Sequence, residues 1–307
     1  MHSAPGLARA LPLATIFGTQ RYTWLANRSL IEGFPPRPAS ILEKLIYYEA
    51  VHQIQGWEDL HRRLEADRRC YAFFHPALPE EPIIFIEVAL TCGISDKVQP
   101  LLDPSTPTLN PGSARCAVFY SITNCQKGLR GVPLGSFLIK QVVEDLSREL
   151  PHLKTFATLS PVAGFRKWLS ESLESMTDKP STLVESLARL ENPTWFEDEE
   201  FRGELEEDLV PMCAYYLLNA KQRKEPRDSI ARFHLRNGAR LERINWLADI
   251  SPVGMERSAG LMVNYVYPRT DVERNHELYM GKYKITVSRE IAALARRFSN
   301  GRAVPKH

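Results

Sequence analysis

The 307-residue chain has five cysteines (70, 92, 116, 125 and 213) but no Cys-x-x-Cys pair, so a structural zinc site has no ligand framework. The odd count argues for reduced thiols rather than a disulfide scaffold. No apolar run approaches the roughly 18 residues that a membrane helix needs. Basic excess is nearly absent: 39 Lys and Arg stand against 37 Asp and Glu, a net charge of +2. Nucleic-acid binding requires concentrated positive charge, so that class is set aside. None of the eight histidines pairs at His-x-His or His-x-x-x-His spacing, and no metal site is expected. The chain also lacks a Walker A loop, a complete dinucleotide fingerprint and a Gly-x-Ser-x-Gly elbow. Repeats and low-complexity tracts are missing too.

What remains has the composition of a folded protein, 44% hydrophobic and 25% charged. Pro5 to Phe17 is too short and wrongly flanked for a secretory signal. The first 31 residues hold Arg9, Arg21 and Arg28 and no acid before Glu32, a faint transit-peptide character in what reads as an irregular terminus. The expected compartment is cytoplasmic, with mitochondrial as the alternative. The terminal Pro305-Lys306-His307 is no peroxisomal address.

Gly33, Pro35, Pro36 and Pro38 mark a loop, after which Ser40 caps a helix to about Val51 with Ile41, Leu45 and Tyr48 on one face. A second helix covers Trp57 to Leu64. Cys70 to Phe74 and Ile83 to Leu90 read as a hairpin, and Ala117 to Ile122 as a third strand. Residues 100 to 113 read as a proline-rich loop. A glycine-bearing turn then leads into a helix over Ser136 to Leu150, followed by a strand over Leu153 to Leu159. Strand, helix, strand in that order is a crossover unit, so part of the sheet should be parallel. Residues 164 to 225 read as three or four inserted helices with Pro180, Pro193 and Pro211 as breakers. Beyond them come a helix over Ile230 to Asn237 stopped by Gly238, strands over Leu241 to Ile250 and Gly260 to Tyr267, and a terminal helix over Val287 to Phe298.

Three places invite chemistry. In Arg130-Gly131-Val132-Pro133-Leu134-Gly135 the glycines allow close backbone approach and the following helix offers free N–H groups, the ingredients of a pyrophosphate cradle or simply of a tight turn. Ser160 ends a strand in a partly parallel sheet, where ligands bind, yet it could equally cap the next helix. His234 lies between Phe233 and Leu235 with little polar company, a pattern that also fits a half-buried structural histidine.

Taken together, these residues resemble the malonyl-CoA decarboxylase family. The likeness is carried by Phe119-Tyr120-Ser121-Ile122, by Gly128 through Lys140, by Leu159-Ser160-Pro161-Val162-Ala163-Gly164-Phe165 and by Phe233-His234-Leu235-Arg236-Asn237-Gly238-Ala239. Glu49-Ala50-Val51-His52, Arg243-Ile244-Asn245-Trp246, Asp249-Ile250-Ser251 and Gly260-Leu261-Met262-Val263-Asn264-Tyr265 add to it, and the match covers roughly residues 38 to 295.

That resemblance implies an α/β (α+β) fold similar to GNAT acetyltransferases: a mixed central sheet flanked by helices, with a helical insertion at about 166–225. Residues 1–66 would then be a remnant of the family's N-terminal helical domain, and 67–307 the catalytic domain. It further implies Ser160 and His234 as the catalytic pair and Arg130, Gly131, Val132, Pro133, Leu134, Gly135 and Ser136 as the CoA cradle. Lys44, Tyr267 and Asn264 are supporting positions. Two departures stand out: Pro133 takes the place of a glycine and removes one N–H donor, and only 66 residues precede the catalytic domain.

The implied reaction turns malonyl-CoA into acetyl-CoA and CO₂ through a thioester enolate. It needs no cofactor and places the chain in fatty-acid metabolism. An imidazole near neutrality would protonate the carbon. A serine hydroxyl is a poor base, so Ser160 is expected to orient the carboxylate or His234. Malonyl-CoA and acetyl-CoA are the expected partners, with a homo-oligomer weakened by the shortened helical domain. The competing readings are a CoA-dependent N-acetyltransferase and a non-catalytic CoA-binding module.

Overall fold

The computed structural model describes residues 39–75, 78–126, 128, 134–174, 184, 187–192 and 194–301. The chain opens with α1 (Ala39–Tyr48) and α2 (Trp57–Arg62), then β1 (Arg68–His75) and β2 (Leu78–Thr91). The hairpin runs from Arg68↔Ala89 to His75↔Leu78. In β2, Ile84, Ile86, Val88 and Leu90 enter one core while Phe85 faces another, so the strand is apolar throughout because both faces are covered. α1 and α2 share the second core: Ile41, Leu45 and Leu60 pack with Cys70, Ala72, Phe74 and Phe85.

β3 (Cys116–Asn124) pairs antiparallel with β2, and a bulge interrupts the register between Glu87 and Val88. α4 (Leu134–Glu149) then crosses to β4 (Thr155–Thr158), which lies parallel to β3 as the strand–helix–strand order requires. Leu138, Ile139, Val142 and Leu146 on α4 are buried against the sheet. Each such side chain contributes about 1.5–3 kcal/mol. β3 and β4 stay in register only from Cys116↔Thr155 to Phe119↔Thr158. Beyond that, β3 runs on to Asn124, while β5 (Ser160–Pro161) pairs instead with β9 (Met262–Val266) through Ser160↔Val263. The two strands therefore open into a wedge.

α5 (Phe165–Glu174) and the long α6 (Glu199–Asn219) follow among the described residues. Pro211, expected to break a helix, lies inside α6. A proline there forfeits one backbone hydrogen bond. Leu205, Leu209, Met212, Cys213 and Leu217 are all buried around it, and their packing outweighs that loss. The expected breakers Pro180 and Pro193 lie outside the described residues. A small hairpin, β6 (Lys221–Gln222) and β7 (Glu225–Pro226), leads to α7 (Ser229–Arg236) and β8 (Arg240–Asn245), which is shorter than the sequence suggests because 246–250 turn away. α8 (Pro252–Ser258), β9, α9 (Val272–Lys282) and α10 (Arg289–Gly301) are the last elements among the described residues.

The described strands of the main sheet run β1-β2-β3-β4-β9, with β5 also against β9 and β8 on the far side of β9. The result is a mostly antiparallel, mixed sheet covered by helices on both faces. No described helix is long and apolar enough to cross a membrane.

Candidate active site

α7 carries the first functional side chain. Asp228 caps it, its Oδ1 accepting from the Ala231 N–H at 2.8 Å, a contact worth about 1 kcal/mol. Ala231, His234 and Leu235 then fall on the buried stripe. The helix stops at Asn237, and Gly238 follows with φ +78°. A Cβ at Gly238 would strike the Val272 carbonyl, so this turn needs glycine twice over.

The stop fixes His234 over the sheet. Its ring stacks on Tyr265 with centroids 4.5 Å apart and 25° between planes, and Phe233 meets it edge-on. His234 Nε2 lies 3.0 Å from Ser160 Oγ, and Nδ1 lies 2.8 Å from Tyr267 Oη. Ser160 Oγ donates to Thr158 Oγ1 at 2.9 Å, and Thr158 Oγ1 also accepts from the Tyr265 N–H at 3.3 Å. A serine has one proton, and here Thr158 takes it. Ser160 Oγ must then accept from Nε2–H, which leaves Nδ1 as the acceptor of the Tyr267 hydroxyl. The hydrogen-bond pattern thus assigns one direction, Tyr267 to His234 to Ser160 to Thr158.

Burial sets the protonation state. His234 is only 3% exposed, and the lack of water around the ring pushes its pKa down to about 3. The imidazole near neutrality expected from the sequence is therefore absent from the free protein, because the residue is fully rather than half buried. Burial likewise pushes the Tyr267 hydroxyl above its usual range and keeps it protonated.

The pair faces the wedge between β3 and β5. A cavity of about 450 Å³ opens there, walled by Val51, Ile84, Phe119, Ile122 and Phe233, with Ser121, Ser160 and His234 among its polar points and Arg232 and Arg236 also in its lining. Its wall is fastened from behind by Glu49. One carboxylate oxygen accepts from the Val51 and His52 N–H groups at 2.7 and 2.9 Å, and the other from Ser121 Oγ at 2.7 Å and Thr123 Oγ1 at 3.2 Å. No group of three or more metal-ligating side chains occurs among the described residues.

Known proteins are similar to this chain in sequence and fold. The family model "Malonyl-CoA decarboxylase C-terminal domain" matches residues 35–304. The chain belongs to the malonyl-CoA decarboxylase family. It is 38% identical over 283 residues to the mitochondrial malonyl-CoA decarboxylase of Anser anser anser, covering 85% of this chain and 56% of that protein. The Mus musculus relative is 39% identical over 285 residues, at 86% and 58% coverage. Crystal structures of malonyl-CoA decarboxylases from Agrobacterium vitis and Rhodopseudomonas palustris superpose with TM-scores of 0.80 and 0.79 at 49% and 47% identity. Each alignment spans 84% of this chain and 64% of that one. This chain thus spans a little over half the length of the curated relatives.

Within this family member, the expected site residues separate. Ser160, His234 and Tyr267 come together in one hydrogen-bonded row. Arg130, Gly131, Val132 and Pro133 lie outside the described residues, while Leu134, Gly135 and Ser136 open α4. Lys44 is not among the described residues walling the cavity; its Nζ pairs with Glu81 Oε1 at 2.6 Å. Asn264 lies on the opposite face of β9. Val263 and Tyr265 join the core beneath His234, whereas Met262 and Val266 join the other core. Asn264 instead ties β4, β8 and the loop at Ser95 together, donating to the Ser95 and Thr158 carbonyls and accepting from Asn245 and Arg243.

Two residues escape a reading of the sequence, Thr158 and Tyr265. The signal for them is strand parity: each lies two positions before a residue already singled out, Ser160 and Tyr267, and so shares its face.

Proposed function

We propose that this chain decarboxylates malonyl-CoA to acetyl-CoA and CO₂ in the wedge cavity. The observation that carries the reading is the row Tyr267–His234–Ser160 reaching the wall of a mainly apolar cavity. A carboxylate carried from water into such a cavity loses hydration, whereas the enolate left by CO₂ loss spreads its charge onto the thioester oxygen. An apolar wall thus favours the transition state over the bound anion.

The reaction then proceeds on this chain's own groups. The bond between the malonyl methylene and its carboxylate breaks, CO₂ leaves, and the electron pair passes to the thioester carbonyl. The electrons have a sink in the substrate itself, so the step calls for no cofactor. His234 supplies the proton from Nε2. It is neutral in the free protein, but the substrate carboxylate beside it favours the imidazolium and raises its pKa in the complex. Once CO₂ has gone, the negative charge has moved to the enolate, whose carbon is a far stronger base than the carboxylate was, and the imidazolium gives up its Nε2 proton to it. Ser160 holds Nε2 and can turn its hydroxyl toward the carboxylate. The cradle reading for Arg130 to Ser136 stands beside this as the site of the CoA pyrophosphate.

Incubation with malonyl-CoA, with and without an amine acceptor, tests the proposal. Mass analysis should show acetyl-CoA and CO₂ in both cases. Acetylated amine as the only product, or unchanged malonyl-CoA, would refute it.

A further inference from the structure

Decarboxylation of a malonyl thioester consumes one proton per turnover, and that proton must reach a histidine that is buried and, with substrate bound, covered on its cavity side. We propose that Tyr267 is the inlet for this proton, drawing it from solvent in a second cavity behind His234. The inference rests on the decarboxylase reading above.

The geometry is specific. Tyr267 Oη lies 2.8 Å from His234 Nδ1, the nitrogen opposite Ser160. Tyr267 does not wall the substrate cavity among its described lining. It walls another one, of about 780 Å³, together with Lys140, Glu144, Ser147, Arg269 and Glu273. His234 shows the reverse: it lines the first cavity and not the second. Asn237 lines both cavities, which therefore adjoin beside the pair, and the Tyr267–His234 hydrogen bond runs from the second to the first. Four of the second cavity's groups, Lys140, Glu144, Arg269 and Glu273, are exposed, so water reaches it freely. Ser147 Oγ is buried there without a protein partner, a hydroxyl of the kind that holds an ordered water.

The bookkeeping closes on one proton. With malonyl-CoA bound, the Tyr267 O–H proton passes to Nδ1 as Tyr267 takes another from a solvent acid, hydronium or protonated buffer, in the second cavity. His234 is then the imidazolium. After CO₂ leaves, the Nε2–H bond breaks as the new C–H bond forms, and the ring is neutral with its proton on Nδ1. Departure of acetyl-CoA opens the substrate cavity to water, and the resting tautomer returns by gain at Nε2 and loss at Nδ1. One acid is consumed for each CO₂ released. Tyr267 touches no reacting atom in this scheme, so it acts through His234 as a positioning and relay residue.

Tyr267→Phe removes only the hydroxyl. With the full chain and malonyl-CoA, kcat should fall at least tenfold, within the range of acid–base contributions, while KM stays within about threefold and the melting curve is kept. Tyr267→Ala opens a hole between the second cavity and Nδ1. Its kcat should rise with imidazolium buffer at fixed pH and ionic strength, whereas wild type stays flat; Tyr267→Val is read the same way should the alanine variant not fold. A Tyr267→Phe kcat within twofold of wild type overturns the inlet. So does a crippled variant whose rate ignores buffer acid, because Tyr267 would then only hold the ring. Wild type that releases no CO₂ from malonyl-CoA removes the decarboxylase reading itself, and the inlet with it. Active wild type with an equally active Tyr267→Phe removes the inlet alone.

Discussion

The His234 imidazole lies flat on the Tyr265 ring, 4.5 Å between centroids, while Tyr267, two residues further along the same chain, holds the imidazole edge. One strand and its continuation thus fix both the plane and the in-plane rotation of the imidazole. Stacked aromatic pairs contribute about 0.5–1.5 kcal/mol beyond their buried area. Tyr265→Leu should therefore lower kcat by roughly two- to tenfold, with CO₂ release as the readout, and leave KM nearly unchanged.

His234→Asn should retain the fold by circular dichroism and lose about 10²–10⁴-fold in kcat. Ser160→Ala should also lower kcat. The double variant should be little slower than the slower single one, because the two groups act as a unit. Near-normal turnover in both singles would mean that the pair is structural.

Thr158→Val keeps the shape of the side chain and removes the acceptor of the Ser160 proton. Ser160 is then free to donate to Nε2, which reverses the hydrogen-bond direction along the row. The expected result is a lower kcat, with a cost of about 0.5–1.5 kcal/mol from the lost hydrogen bonds. Turnover equal to wild type would show that the direction of the row does not matter.

The pH dependence has a definite sign. In the folded state His234 titrates at about 3, below the ordinary histidine value of about 6.5. Between those values the unfolded chain binds a proton that the folded one does not, so this residue's share of stability is lost as pH falls from about 6.5 toward 3. His234→Asn should flatten the loss of Tm over that window. For activity, kcat/KM should show no bend from His234 near 6.5, whereas kcat should show one at a higher pH than the free enzyme's, where bound carboxylate raises the pKa.

Gly238→Ala should lower stability by more than the roughly 1–2 kcal/mol of left-handed backbone strain, because the new methyl also meets the Val272 carbonyl. A drop in Tm of several degrees is expected. A melting point equal to wild type would show that the turn can relax.

The central sheet is largely legible in the amino-acid sequence. Ile83 to Leu90 is β-branched and bounded by proline and glycine, and the crossover from β3 through α4 to β4 follows from element order alone. α9 escapes such a reading because it buries little beyond Asn275 and Tyr279 and so has almost no apolar stripe. α8 escapes it because Pro252 and Gly254 read as loop residues, although Ser251 caps the helix by accepting from the Gly254 N–H at 3.1 Å. At the site, Ser160 and His234 can be picked by place and family likeness. Asn264 draws attention only as part of a matching string, and the alternation of β9 turns it away from the cavity. The depressed pKa of His234 cannot be read from sequence at all, since it depends on how completely other elements cover the ring.

β9 comes late in the chain yet occupies the middle of the sheet, between β4 and β5 on one side and β8 on the other. A chain that has emerged as far as β8 but without β9 therefore presents two unsatisfied strand edges and has neither Tyr265 nor Tyr267. Such edges template pairing with other chains, so the nascent protein is most exposed to aggregation just before its last strand slots in. A chain truncated between residues 246 and 261 should therefore aggregate far more than one truncated within α10, which retains β9 and a closed sheet.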